Sequence, residues 1–238
     1  MRRIKFAIIG ILIIIVLLVL YAFARTWNKT DIEFTIHINE QMILKSTFGE
    51  PPTFGVWIEN PETSATQTIF VTKRAASGDW EGKASVPVAL PKWFEVFKKE
   101  NQSNEVPTYE KPAPLAITGA TPKPGYFKTR VRVTPGTRWI CWIEVNLSGD
   151  YNENYKEFNE TEKKTDEFGT GQPALLYKAE IEAVQGNIIK PEISGMTLVD
   201  PKEGTILSPL QGITTATEIF DEISIAVVKP TPRIIEWN

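Results

Sequence analysis

The chain has 238 residues, with 26 Lys+Arg against 29 Asp+Glu, one cysteine and one histidine. The single cysteine excludes an internal disulfide, and one cysteine with one histidine makes a zinc or haem site implausible. The length suffices for one good hydrophobic core or two small ones, so packing must supply the stability.

Met1-Arg2-Arg3-Ile4-Lys5 opens the chain, and Phe6 to Ala24 follows without a charged residue. At 1.5 Å per residue that run makes roughly 28 Å of helix, close to the hydrocarbon thickness of a bilayer. A helix satisfies its own backbone groups in lipid, and the basic residues before it place the N-terminus in the cytoplasm. The expected organisation is a cytoplasmic basic end (1–5), a transmembrane signal anchor (6–24) and a linker (25–31). An extracytoplasmic domain (32–229) and a C-terminal tail (230–238) complete it. Ala22-Phe23-Ala24 has the small-x-small form of a signal-peptidase site, so a cleaved signal peptide is the second reading. Both readings export the rest of the chain to the periplasmic or extracellular side. Export leaves behind Arg2, Arg3 and Lys5, so the exported part has a net charge of −6. That balance argues against nucleic acid or anionic lipid as the main partner.

Ile32, Phe34, Ile36 and Ile38 alternate with polar residues, the pattern of a half-buried strand with His37 on the polar face. A solvated strand residue is the plain reading of His37. Phe54–Asn60 and Gln67–Lys73 read as two further strands joined by a turn, hence a hairpin. Lys92–Lys99 is a short helix with Trp93, Phe94 and Phe97 on one face, and Asn101–Pro114 is a proline-bearing loop. Phe127–Val133 and Trp139–Asn146 flank Thr134-Pro135-Gly136-Thr137 as strands around a tight turn. Cys141 falls on one face of the second strand as a buried thiol; Ile140 and Trp142 project from the other, where they would make an apolar binding patch if exposed. The stretch 148–170 is acidic and rich in tyrosine without apolar periodicity, so it reads as a long surface loop. Its carboxylates do not follow the EF-hand spacing, although a cation or partner site is a second reading. Leu175–Ala183 and Ile193–Leu198 are further strands. Gly212–Glu222 holds one or two helical turns capped by Thr214 or Thr215, and Ile223–Val228 is the last strand. About seven short strands with few helices give an all-β, antiparallel sandwich.

Thr118-Gly119-Ala120-Thr121, in the context ITGATPKPG, is the one segment with a chemical reading. From the residues alone it is a small-residue turn, with Gly119 supplying backbone freedom and Pro122 and Pro124 stiffening the exit. The pattern resembles the flavin-attachment motif of sodium-pumping quinone reductase subunits and their electron-transport relatives. There FMN is joined through its phosphate to the last threonine, so the resemblance implies Thr121 as the attachment residue, with Thr118, Gly119 and Ala120 completing the motif. The family motif carries an Asp three residues before its first hydroxyl residue, where this chain has Leu115. The wider pattern GVWIEN, ITGATPKPG, WIEVNLSGDYNENY and GITTATEIFDEISI, over residues 32–228, is similar to a bacterial extracytoplasmic family of unknown function often encoded near flavin transferases. That resemblance implies an immunoglobulin-like sandwich.

The expectation is therefore a membrane-tethered, non-catalytic module that contacts another envelope protein of a flavin-linked redox system and needs no cofactor. The alternative is a covalent FMN carrier modified at Thr121. Trp57, Trp93, Trp139 and Trp142 would then stack on the flavin ring; otherwise they are core residues. A hydrolytic enzyme is a third class, though no carboxylate pair stands out by spacing.

Overall fold

The computed structural model describes residues 2–78, 89–105, 107–114, 117–157, 169–198 and 204–232, without the side chains of 2–5 and 7. Leu115, residues 158–168 of the acidic stretch and residues 233–238 of the tail lie outside the described residues. The chain opens with helix α1 (Arg2–Ala24) and strand β1 (Thr30–Ile38). Helix α2 (Glu40–Lys45), strands β2 (Thr53–Glu59) and β3 (Thr66–Thr72), and helices α3 (Lys73–Ser77) and α4 (Pro91–Asn101) follow. Next come β4 (Thr118–Gly119), β5 (Gly125–Val133), β6 (Arg138–Asn146) and β7 (Ala174–Glu182). The short β8 (Ile188–Ile189), β9 (Glu192–Thr197), a 3-10 turn (Thr215–Glu218) and β10 (Phe220–Val228) complete the described elements.

The strands form two sheets packed face to face, one of four in the order β5-β1-β10-β8 and one of six in the order β4-β3-β2-β6-β7-β9. Neighbouring strands are antiparallel except β3 and β4, which run parallel. Alternation explains β1. Ile32, Phe34, Ile36 and Ile38 point inward and are fully buried, while Asp31 and Glu33 face outward among arginines and lysines of β5. Glu33 pairs with Lys128 at 3.2 Å and Arg130 at 3.1 Å, and Asp31 with Arg132 at 3.0 Å. Between the sheets lies the main core, where the Phe54 ring meets Phe70, Phe127 and Phe220 at centroid distances of 5.2–5.3 Å. Cys141 is buried in this core, and the apolar surroundings push its thiol up to about 12.

The outer face of the six-stranded sheet is not open. A second core covers it, built from Trp57, Val71, Trp142 and Leu176 of the sheet with Trp93, Phe94 and Phe97 of α4. Trp57 and Trp142 stack with centroids 6.1 Å apart and planes 13° apart. Gly55 lets Trp93 approach, since a Cβ there would sit 3.2 Å from the indole. The apolar patch expected at Trp142 and Ile140 is therefore a correction: α4 lies over it, Trp142 is buried and Ile140 packs against the same cluster. Alternation alone cannot distinguish a face turned to water from one covered by a helix.

One buried carboxylate joins α4 to the sheet. Leu90 precedes the helix and offers no capping side chain, and Pro91 follows at the first helical position. The orphan amides of the first turn are met from across the chain by Glu144 of β6. Lys92 N–H donates to Oε1 at 3.0 Å and Trp93 N–H to Oε2 at 2.7 Å. The Thr197 hydroxyl of β9 donates to Oε1 at 2.8 Å. A carboxylate at a helix N-terminus satisfies orphan donors and meets the positive end of the helix dipole.

Burial raises the Glu144 carboxyl to about 7 from 4.5, while the Trp93 and Lys92 amides, the Thr197 hydroxyl and the Lys92 charge pull the other way. The folded state therefore holds one more proton than the unfolded chain between pH 4.5 and about 7. Stability from this group is full below pH 4.5 and is lost as the pH rises through about 7, a difference on the order of 3 kcal/mol. Urea titrations from pH 4.5 to 8 should show that decline, and Glu144→Gln should flatten it while lowering stability at pH 5. An equal slope in the variant would contradict the assignment.

α1 stands apart from both cores. Its described large apolar side chains are 41–65% exposed. Among the described residues no helix is long and apolar enough to cross a membrane, although the α1 backbone runs for 23 residues. β1 begins at Thr30, so the link between helix and sandwich is residues 25–29, two residues shorter than expected. It is folded into turns: Arg25 N–H bonds Tyr21 O at 3.1 Å, Trp27 N–H bonds Ala24 O at 3.2 Å and Lys29 N–H bonds Thr26 O at 3.2 Å.

Candidate functional site

The TGAT segment lies at the end of the sandwich opposite α1. β1 runs away from Thr30, and β5 begins at Gly125 opposite Ile38, the far end of β1. Nine residues of strand span about 30 Å. Thr118 and Gly119 add the short β4 alongside Val71 and Thr72 of β3.

The first two residues of the motif have local structural work. The Thr118 hydroxyl donates to Pro114 O at 2.9 Å and lies 3.4 Å from Ala113 O, closing a turn of the proline loop. Ala113 N–H in turn bonds Ala76 O of α3 at 2.7 Å. Gly119 sits against Phe70, where an added Cβ would come within 2.4 Å of the ring. Ala120 is exposed and Thr121 is half-buried ahead of Pro122. Thr118 and Thr121 are both half-buried hydroxyl residues, and the hydroxyl of Thr118 is the one engaged with Pro114 O.

These residues fit an attachment point better than a flavin pocket. Trp57, Trp93 and Trp142 are sealed in the second core. Trp139 packs against the main core from the α1 end of β6, with its Nε1 donating to the Thr137 hydroxyl at 2.8 Å. None of the four tryptophans is brought to Thr121, so no stacking platform comes from them and no chemical step is derived through a flavin.

Other polar groups missed by pattern reading are tertiary. The Asp150 carboxylate accepts from the Thr215 hydroxyl at 2.7 Å and from Gln172 Nε2 at 2.8 Å, and burial pushes it up. This clasp ties the described ends of the acidic stretch to the 3-10 turn. Thr214 occupies the cap position of that turn without a side-chain cap bond. His37 Nδ1 lies 2.5 Å from Asp221 Oδ1, and its ring meets Tyr126 edge-on at 4.6 Å. Asp221 borders an open cleft of about 460 Å³, with Tyr177, Lys190, Glu218, Phe220 and Ile223 among its walls. Among the described residues no group of three or more His, Cys, Asp or Glu is placed to hold a metal ion.

Comparison with family models, curated proteins and solved structures finds no match for this chain.

Gly119→Ala is expected to destabilise the domain by about 1–3 kcal/mol, because the new methyl collides with a ring already packed in the core. Ala120→Ser, on an exposed residue, should change stability by less than about 0.5 kcal/mol. Urea denaturation compares the two; equal midpoints would mean that the TGAT backbone is not packed on Phe70.

Proposed function

We propose that this protein is a membrane-tethered extracytoplasmic module, non-catalytic, whose immunoglobulin-like sandwich contacts another envelope protein of a flavin-linked electron-transfer system. The observation that carries the tether is α1. Its backbone of 23 residues is about 34 Å long, its sequence from Phe6 to Ala24 has no charge, and its apolar side chains face outward instead of packing on the domain. A hydrophobic helix joined to a soluble-faced sandwich through five folded residues is a poor fit to a free globular protein and a good one to lipid.

The module reading is supported by the surface. The outer face of the six-stranded sheet is closed by α4, and the outer face of the four-stranded sheet is an ion-pair ladder. The end bearing Thr118–Gly125 is about 30 Å of strand away from α1. A partner meeting it there is an extramembrane domain and not a lipid-dissolved molecule.

A second reading, covalent FMN on Thr121, is favoured by one observation: Thr118 and Thr121 are both half-buried, and the hydroxyl of Thr118 is spent on Pro114 O. One preparation tests both. Full-length protein is co-expressed with a flavin transferase, membranes are washed with alkaline carbonate, and the gel is viewed for flavin fluorescence. Retention in the pellet without a fluorescent band is expected. Release by carbonate overturns the tether. A fluorescent band lost in Thr121→Ala overturns the cofactor-free reading in favour of the carrier, and a band gained only in Leu115→Asp would identify a degenerate carrier.

A further inference from the structure

The end of the sandwich that α1 enters is built from two uncharged turns beside Thr30. Thr134-Pro135-Gly136-Thr137 joins β5 to β6, and residues 183–187 join β7 to β8. They are tied together by Gly136 N–H to Ala183 O at 3.0 Å and Ala183 N–H to Thr137 O at 2.8 Å. Gly186 N–H bonds Val227 O at 2.9 Å, and Val228 pairs with Asp31 next to the start of β1. Neither turn contains a charged residue. Around them three large apolar side chains face solvent: Trp27 is 83% exposed, Ile188 73% and Val184 45%.

Basic residues border this end. Arg25 lies over the Tyr21 ring at 5.6 Å, and Lys29 and Lys229 flank β1 and β10. Its acidic neighbours include Asp31, buried against Arg132, Glu182, opposite Arg138 in the β6–β7 ladder, and Glu62 in the β2–β3 turn. The far end carries charges of both signs, with Glu40, Glu50, Asp150, Glu153, Glu218 and Asp221 beside Lys45, Lys73 and Arg74, and Leu44 and Phe48 are exposed there.

We propose that the α1 end of the sandwich rests in the headgroup layer of a bilayer, with Trp27, Val184 and Ile188 as its points of insertion. The proposal rests on the reading of α1 as a membrane anchor. The link fixes the occupant. Five residues could reach at most about 17 Å if extended, and residues 25–29 are instead folded back by hydrogen bonds onto the helix end. No macromolecule fits between the end of α1 and these turns, whereas lipid headgroups fill that gap without being recruited. The chemistry matches: an indole prefers the interface, where its ring and its N–H are both accommodated. Uncharged turns carry no charge to desolvate on entering it, and lysine and arginine extend toward phosphate. The surface is apolar and not strongly basic, so it suits zwitterionic lipid and does not depend on the overall charge of the exported part. Seating this end also directs β1 away from the membrane and holds the Thr118–Gly125 segment outward.

Site-directed labelling tests it in full-length protein. A single cysteine introduced by Ile188→Cys, or by Val184→Cys as a second variant, is compared with Leu44→Cys in α2 at the far end, which is also 73% exposed. Cys141, buried and with its thiol held near 12, stays unlabelled. Each protein carries an environment-sensitive fluorophore and is reconstituted in phosphatidylcholine vesicles containing headgroup spin-labelled lipid. Labels at 188 and 184 should be quenched roughly fivefold more than the label at 44, with a blue shift, as expected for insertion to headgroup depth. Equal, weak quenching at all three sites in protein that resists carbonate would overturn the proposal and leave the anchor standing. Release of the protein by carbonate would overturn both.

Discussion

A single buried carboxylate decides how this domain is layered. Glu144 stands in the middle of the six-stranded sheet, on the face turned away from the main core. A charged group there would be costly to bury alone, and α4 without a local cap would leave its first amides unmet. Each defect answers the other. The carboxylate receives two helix amides and the Thr197 hydroxyl, and the helix receives a cap that also fixes its position over the sheet. Because β6 pairs with both β2 and β7, and Thr197 belongs to β9, the same side chain links α4 to the centre and the edge of the sheet.

From that contact follows the distribution of surface. With α4 seated, Trp57 and Trp142 are enclosed and the sheet has apolar residues on both faces, as sheets covered on two sides require. The second sheet carries Asp31, Glu33, Lys128, Arg130 and Arg132 on its outer face in mutually paired rows, with Asp31 buried beneath Arg132. Both broad faces are thereby committed to structure. The two ends of the sandwich differ: the turns where α1 enters carry no charged residue, with Trp27, Val184 and Ile188 exposed around them, and the end where β1 finishes carries charges of both signs.

The strands were readable because half-buried antiparallel strands leave a period of two in the chain. Ile32 to Ile38 and Phe127 to Val133 alternate in the sequence and in the fold. The helix over Lys92–Lys99 was equally plain from Trp93, Phe94 and Phe97, and occupies Pro91–Asn101. What escaped is either short or tertiary. α2 and α3 have six and five residues, too few for a periodic signal, although Asn39 ahead of Glu40 is a cap that accepts Gln41 N–H. Strand β8 has two residues. Glu144 could be suspected only from a helix that opens on Leu90-Pro91 with no capping residue, and its partners lie 51 and 52 residues away. The TGAT segment was legible as a turn. That Gly119 is required by Phe70, and that Thr118 is spent on the carbonyl of Pro114, belongs to contacts that spacing does not encode.

Hydrogen exchange resolved by peptide, comparing the wild type with Glu144→Gln at pH 8, where the carboxylate is ionised, tests the central claim most directly. If the carboxylate holds α4 on the sheet, amides of the segment Leu90–Phe97 are slow in the wild type. In the variant they become fast while β6 and β7 keep their protection. Unchanged protection of that segment in the variant, or loss of protection spread evenly over the whole domain, would contradict the claim that this one contact layers the fold.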